Sequence, residues 1–293
     1  MKTYLKDFFD DCGYAEEDAA FLLDVYERLM QNAEAAALWN QAISVYEENI
    51  CCDYRKILSL ADQAAEVVSI HKYTAEILIF MCLTKKLEKE YEKRGLEKKI
   101  YRDTVLDLKY KTEECKLVKG IVGTFVAEWF FKFFDMTRFA LGRLQFQINA
   151  FGRTYEKDGV VLTPQSKVMD THIPRSLQPL TPESCEESFA LAKRFFADEI
   201  GEVCAFVCHS WLLYPEHKTM LSPKSNVFRF MERFDIMESG INKRGSDLWR
   251  LFDTDEKDPE KLPADSSMRR AYVSHLKNGG SVGWGFGVLI YEG

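Results

Sequence analysis

All eight prolines of this 293-residue chain lie after residue 163, and that asymmetry constrains its folding more than any other feature. Proline removes a backbone donor and breaks helices. The first 135 residues contain none and few glycines, so they can run as helix without interruption. The apolar spacing agrees. Phe21, Leu22, Val25 and Leu29 share one helical face, as do Ile77, Phe80, Met81, Thr84, Leu87 and Tyr91. The second of these helices ends in KKLEKEYEKRG, a solvated charged face closed by Gly95. Tyr101, Val105 and Leu108 form another stripe, and FVAEWFFKFF reads as the last helix of this half.

From about residue 136 the period changes to two. FALGRLQFQI, taken as one strand, puts Leu141, Arg143, Gln145 and Gln147 on one face and Gly142, Leu144, Phe146 and Ile148 on the other. Lys157-Asp158-Gly159 supplies a hairpin turn. VVLT and KVMDTHI are the next strands. TPESCEESFALAKRFFADEI is an amphipathic helix with Phe189, Ala192, Phe195 and Phe196 inward, and VCAFVCHSWLL is a central strand. NVFRFMERF and DLWRLF read as strands, DSSMRRAYVSHLKNGG as a capped helix, and VGWGFGVLIYE as the last strand. The expected class is therefore α+β: an all-helical domain over 1–135, then a mixed β-sheet domain with flanking helices over 136–293.

Apolar residues make up 46% of the chain, enough for a substantial core, and the net charge of -7 opposes nucleic acid or an anionic membrane as main partner. The N-terminus lacks a signal-peptide pattern, and the most apolar window, IVGTFVAEWFFKFFDM, is too short to span a bilayer and contains Glu128 and Lys132. A cytoplasmic location is expected. Cys51 and Cys52 are adjacent and Cys204 and Cys208 are four apart, without the paired spacing of a zinc site, so reduced thiols and no metal are expected.

Three stretches carry candidate chemistry. Thr181-Pro182-Glu183-Ser184 is a helix start, with Thr181 as N-cap and Pro182 in the first turn. Its exposed backbone N–H groups suit an anion. Arg175 favours such a ligand, Glu183, Glu186 and Glu187 oppose it, and most helix starts bind only water. Asp170 and His172 stand two apart on a strand, so they share a face, and the carboxylate can orient the imidazole as a general base or simply hold a structural histidine. His209 and Ser210 are adjacent and point to opposite faces, which rules them out as a nucleophile–base pair. The spaced glycines of GGSVGWGFG have no helix after them, so they cannot form a dinucleotide fingerprint. Gly283, Gly285 and Gly287 instead leave a bare strand face for a ring or a ligand.

LGRLQF, HIP followed by PL and CEESFALAKRFF, CHSWLL and SNVFRF occur in that order. Together they resemble bacterial acyltransferase-domain proteins that join a helical N-acyltransferase N-terminal domain to a C-terminal domain of the GCN5-related N-acetyltransferase (GNAT) type. The resemblance implies an acyl-CoA-dependent N-acyltransferase that uses acetyl-CoA or another acyl-CoA as small-molecule donor and transfers its acyl group to an amine whose identity the sequence does not give. It implies that the strand 167–173, the loop 174–181 and the helix from 182 hold the coenzyme diphosphate, and that the pantetheine arm enters beside strand 204–212. Ile173, Pro174, Arg175, Ser176, Thr181, Ser184, His209, Ser210 and Asn226 would then contact the coenzyme. His172, oriented by Asp170, would be the base. The family's glycine-rich diphosphate motif is absent and RSLQPL stands in its place. A non-catalytic acyl-CoA-binding or regulatory protein is therefore the rival reading, and a helical interaction scaffold a third.

Overall fold

Where proline is absent, six long helices form. They are α1 (Lys2–Cys12), α2 (Glu16–Gln31), α3 (Ala33–Glu48), α4 (Tyr54–Val67), α5 (Lys72–Lys93) and α6 (Lys98–Lys119). The computed structural model describes residues 1–176, 178–243 and 247–292. Side chains cap α3 and α4, where Asn32 and Asp53 each accept two backbone N–H groups. α5 is buried almost all round its first three turns, so it is the central helix of this bundle. FVAEWFFKFF is broken rather than one helix: a 3-10 turn, Ala127–Phe130, leads into the single-turn α7, Phe131–Phe134. Phe80 packs on Phe130, Phe131 and Phe134.

The chain divides into two compact units, 1–139 and 140–293. From that boundary on, the single strand expected over FALGRLQFQI is two, β1 (Arg138–Leu141) and β2 (Leu144–Ala150). Gly142 makes the turn at a φ of 73°, and a Cβ there would stand 2.7 Å from Ser188 Oγ. Arg143 therefore belongs to the turn and not to a strand face. β3 (Tyr155–Lys157) and β4 (Val160–Leu162) form a separate hairpin. Next come β5 (Lys167–His172), α8 (Pro182–Phe195) and β6 (Ala205–Ser210), the expected βαβ unit.

Two expected strands are helices. NVFRFMERF contributes α10 (Asn226–Met231), because Ser225 caps it through the Phe228 N–H; the four-residue α9 (His217–Met220) precedes it. DLWRLF contributes α11 (Leu248–Phe252), whose buried Leu248, Leu251 and Phe252 have helical spacing. The strand between them is β7 (Asp235–Ile241), followed by α12 (Ser267–Lys277) and β8 (Gly283–Ile290). Among the described residues, six strands form one mixed sheet in the order β1-β2-β5-β6-β8-β7.

The sheet has two unlike faces. Phe146, Phe189 and Phe206 meet edge to face on the side that α8 covers, with ring centroids 4.7 to 5.9 Å apart. Val168, Ala205, Val207, Phe286 and Val288 pack on the other side with Phe151, Tyr155 and Leu162. The glycine stripe on β8 serves packing. A Cβ on Gly285 would lie 2.1 Å from the Leu213 carbonyl oxygen, and one on Gly283 would lie 2.2 Å from the Tyr214 ring.

Candidate active site

β5 and β6 run parallel but stay paired only at Met169↔Phe206 and Asp170↔Val207. Beyond those positions each strand continues with its outer neighbour. β5 remains paired to β2 as far as Gln145↔His172, and β6 remains paired to β8 as far as Ser210↔Gly285. The sheet therefore splits between Thr171-His172 on one side and Cys208-His209-Ser210 on the other.

Backbone polarity at the split follows from the β6–β8 ladder. Tyr291 N–H donates to the Cys204 carbonyl at 2.8 Å. Hydrogen-bonded pairs alternate along an antiparallel ladder, so Phe206, Cys208 and Ser210 turn their amides to β8, and Val207 and His209 turn theirs toward β5. The His209 N–H is thus the first β5-facing amide past the last β5–β6 pair.

Side chains flank the same opening. Asp170 and His172 share a face, with His172 Nε2 3.5 Å from Asp170 Oδ2. Asn149 Nδ2 donates to that carboxylate at 3.1 Å and Gln147 Nε2 at 3.5 Å. The polar residues of β2 thus hold Asp170 in place. His209 lies on this face as well, in the position that continued pairing would set opposite His172. Its ring meets Trp284 edge to face at 4.7 Å. Partial burial, then the Arg153 guanidinium, lower the affinity of the His209 imidazole for a proton, with Glu238 opposing. Arg153 itself pairs with Glu238 at 2.9 Å and stacks on Phe286. Ser210 points to the opposite face, where its Oγ accepts the Leu212 N–H at 3.2 Å and caps the 3-10 turn Trp211–Leu213. Asn226 opens α10 rather than standing on a strand.

The loop between β5 and α8 is held from inside. Arg143 donates from Nε to the Gln178 carbonyl at 2.8 Å and from Nη1 to the Pro174 carbonyl at 3.0 Å. Ile173 leads into this loop half-buried, and Ser176 Oγ accepts the Gln178 N–H at 3.0 Å. Ser188 Oγ accepts the Arg143 N–H at 2.8 Å and donates to the Ser184 carbonyl at 2.7 Å, tying the β1–β2 turn to α8.

The start of α8 is filled by its own residues. Thr181 Oγ1 accepts the Ser184 N–H at 3.2 Å, Pro182 has no N–H, and the Cys185 N–H bonds the Thr181 carbonyl. The exposed Glu183 carboxylate bonds its own backbone N–H, which lowers its pKa. Glu186 is neutralised by Arg233. Arg175 clasps Asp253, which Arg269 also binds at 2.6 Å. Neither Asp253 nor Arg269 stands out in the sequence: they lie 78 and 94 residues beyond Arg175 (253 − 175 and 269 − 175), in segments without a motif. No group of three or more His, Cys, Asp or Glu side chains among the described residues could hold a metal ion, and no described helix is long and apolar enough to cross a membrane.

This geometry agrees with comparisons to known proteins. A family model described as the GNAT-like C-terminal domain matches residues 139–289, and one described as the N-acyltransferase N-terminal domain matches residues 3–136. Among solved structures, an acyltransferase in complex with decanoyl-CoA and teicoplanin superposes with a TM-score of 0.71 at 20% identity, covering 97% of this chain and 86% of that one. An acyltransferase in complex with CoA and 10C-teicoplanin gives the same TM-score and coverage at 19% identity. No curated protein matches. With its sheet split at the β5–β6 pair and both domain models matched in order, the chain belongs to the family that joins an N-acyltransferase N-terminal domain to a GNAT-like C-terminal domain.

Proposed function

We propose that this protein is an acyl-CoA-dependent N-acyltransferase that moves an acyl group from a CoA thioester to an amine. The observation that carries this reading is the split between β5 and β6, where two strands that should pair leave a slot lined by backbone groups and flanked by His172 and His209. A pantetheine arm is a thin chain carrying amides, and it can take the place of the missing strand pairing. The superposed acyltransferases are complexes with CoA and acyl-CoA, which supports the same donor here.

The reaction needs a free amine, a polarised thioester carbonyl and a proton for the leaving thiolate. The His209 N–H donates toward the slot and suits the carbonyl oxygen, where it would stabilise the developing oxyanion. His172, oriented by Asp170, takes the proton from the amine. Holding donor and acceptor together supplies the remainder of the rate. Ile173, Pro174, Arg175 and Ser176 continue the chain from the slot toward the coenzyme phosphates, with Thr181 and Ser184 ordering the helix behind them. His172→Ala should lower kcat by about a hundredfold, the lower end of what a general base contributes, with an unchanged melting temperature. Full turnover in that variant removes His172 from the mechanism.

One observation favours the second reading, an acyl-CoA-binding protein without catalysis: the amides at the start of α8 are already engaged within the chain. Thermal melting with CoA, acetyl-CoA and decanoyl-CoA, followed by thiol release with a panel of amines, separates the two. A shift with thiol release supports the enzyme, a shift without release for any amine supports the binder, and no shift with any thioester contradicts both.

A further inference from the structure

The coenzyme phosphates bring negative charge to a loop whose adjoining helix amides are occupied. Positive charge must come from elsewhere, and the loop itself points to where. Arg175 forms a two-point ion pair with Asp253, Nη1 on Oδ1 and Nη2 on Oδ2 at 3.2 Å. Arg269, in the first turn of α12, donates from Nη2 to Asp253 Oδ2 at 2.6 Å and from Nε to the Leu251 carbonyl at 2.9 Å. One carboxylate therefore sits in a fork of two guanidiniums, the arrangement that also fits a phosphate. Arg269 is further braced by Asp265, which is largely exposed, so Asp253 is the less exposed of the two carboxylates that Arg269 binds.

Asp253 is an awkward resident. It follows the last residue of α11 with a φ of 55°, a left-handed conformation that a non-glycine residue adopts at some energetic disadvantage. A carboxylate at the carboxyl end of a helix also opposes the local dipole. The two arginines offset both penalties.

We infer that Arg175 and Arg269 together form the phosphate-binding site of this protein, and that Asp253 is an internal anion that occupies it until the coenzyme arrives. The inference rests on the acyl-CoA reading above and adds a site from α12 that the β5–α8 loop alone does not contain. Binding exchanges one anion for another in the same fork. Asp253 thereby lowers affinity for anionic ligands and keeps two guanidiniums from facing each other uncompensated. The site selects for the phosphorylated half of the donor and is indifferent to the acyl chain.

The test compares CoA with pantetheine, which has the same thiol arm and no phosphate, by titration calorimetry on the full chain. Asp253→Asn should tighten CoA by about tenfold, and Arg269→Gln should weaken it by about tenfold, the range of one charge-assisted hydrogen bond. Neither change should alter pantetheine affinity. The gain in Asp253→Asn should shrink as salt is raised. If Asp253→Asn melts lower yet binds CoA as the parent does, the cluster is a structural clasp and the inference fails. Should Asp253→Asn fail to fold, Arg269→Lys provides the same test: it keeps the charge and loses the fork, and parental CoA affinity in it overturns the site. An unmodified chain that binds neither CoA nor pantetheine contradicts the acyl-CoA reading itself, a different result from unchanged affinities in the variants.

Discussion

His217 shows how much a single buried residue reports about the fold. It opens α9 and is fully buried, and its Nδ1 donates to the Leu212 carbonyl at 3.2 Å while Nε2 accepts from the hydroxyl of Tyr272 in α12. Both ring nitrogens have partners, and the neutral tautomer with the proton on Nδ1 satisfies both. Burial pushes its pKa down from 6.5 to about 4. The sign follows: between those values the unfolded chain binds a proton that the native chain refuses. Stability is therefore full above pH 6.5 and falls as pH drops toward 4, by about 3 kcal/mol from this residue. Melting of the parent and of His217→Gln across pH 7 to 4 checks it. The variant should start less stable and lose less on acidification, and parallel curves would contradict the assignment.

The β5–α8 loop is the element to which the proposal assigns the coenzyme phosphates, and Arg143 fastens it at two described carbonyls. That residue, reading as part of a polar strand stripe, belongs to the β1–β2 turn and fastens two loop carbonyls instead. Arg143→Met should free both, lower stability by about 1–3 kcal/mol and speed amide exchange over 173–181. Exchange at parental rates would show that the loop holds itself. Elements also mark the limit of sequence legibility. The Asp170–His172 pair was visible because strand period alone sets two residues on one face. β7 was not, because DIMESGI is an edge strand with no fully buried residue and so lacks an apolar alternation. NVFRFMERF alternates like a strand, yet the Ser225 cap and the adjacent buried pair Phe230 and Met231 belong to a helix.

At the level of the whole molecule, the change from helical to two-residue period near residue 136 marks the passage from a helical bundle to a mixed sheet, and that change of class was legible in the sequence. Fold class and the βαβ unit follow from local rules. The split at β5–β6 does not, because pairing that stops is a tertiary fact: the sequence of β6 continues apolar through Cys208 while its partner leaves. The same holds for the Arg175–Asp253–Arg269 fork, assembled from three distant segments. Its residues have no spacing that a linear pattern could reveal.

The most direct test is a crystal structure of the chain with CoA bound. The pantetheine arm should lie between β5 and β6, its amides bonded to the strand edges beyond Asp170 and Val207, with the sulfur between His172 and His209. A coenzyme lodged elsewhere, or β5 and β6 zipped together through His172 and His209, would contradict the proposed chemistry.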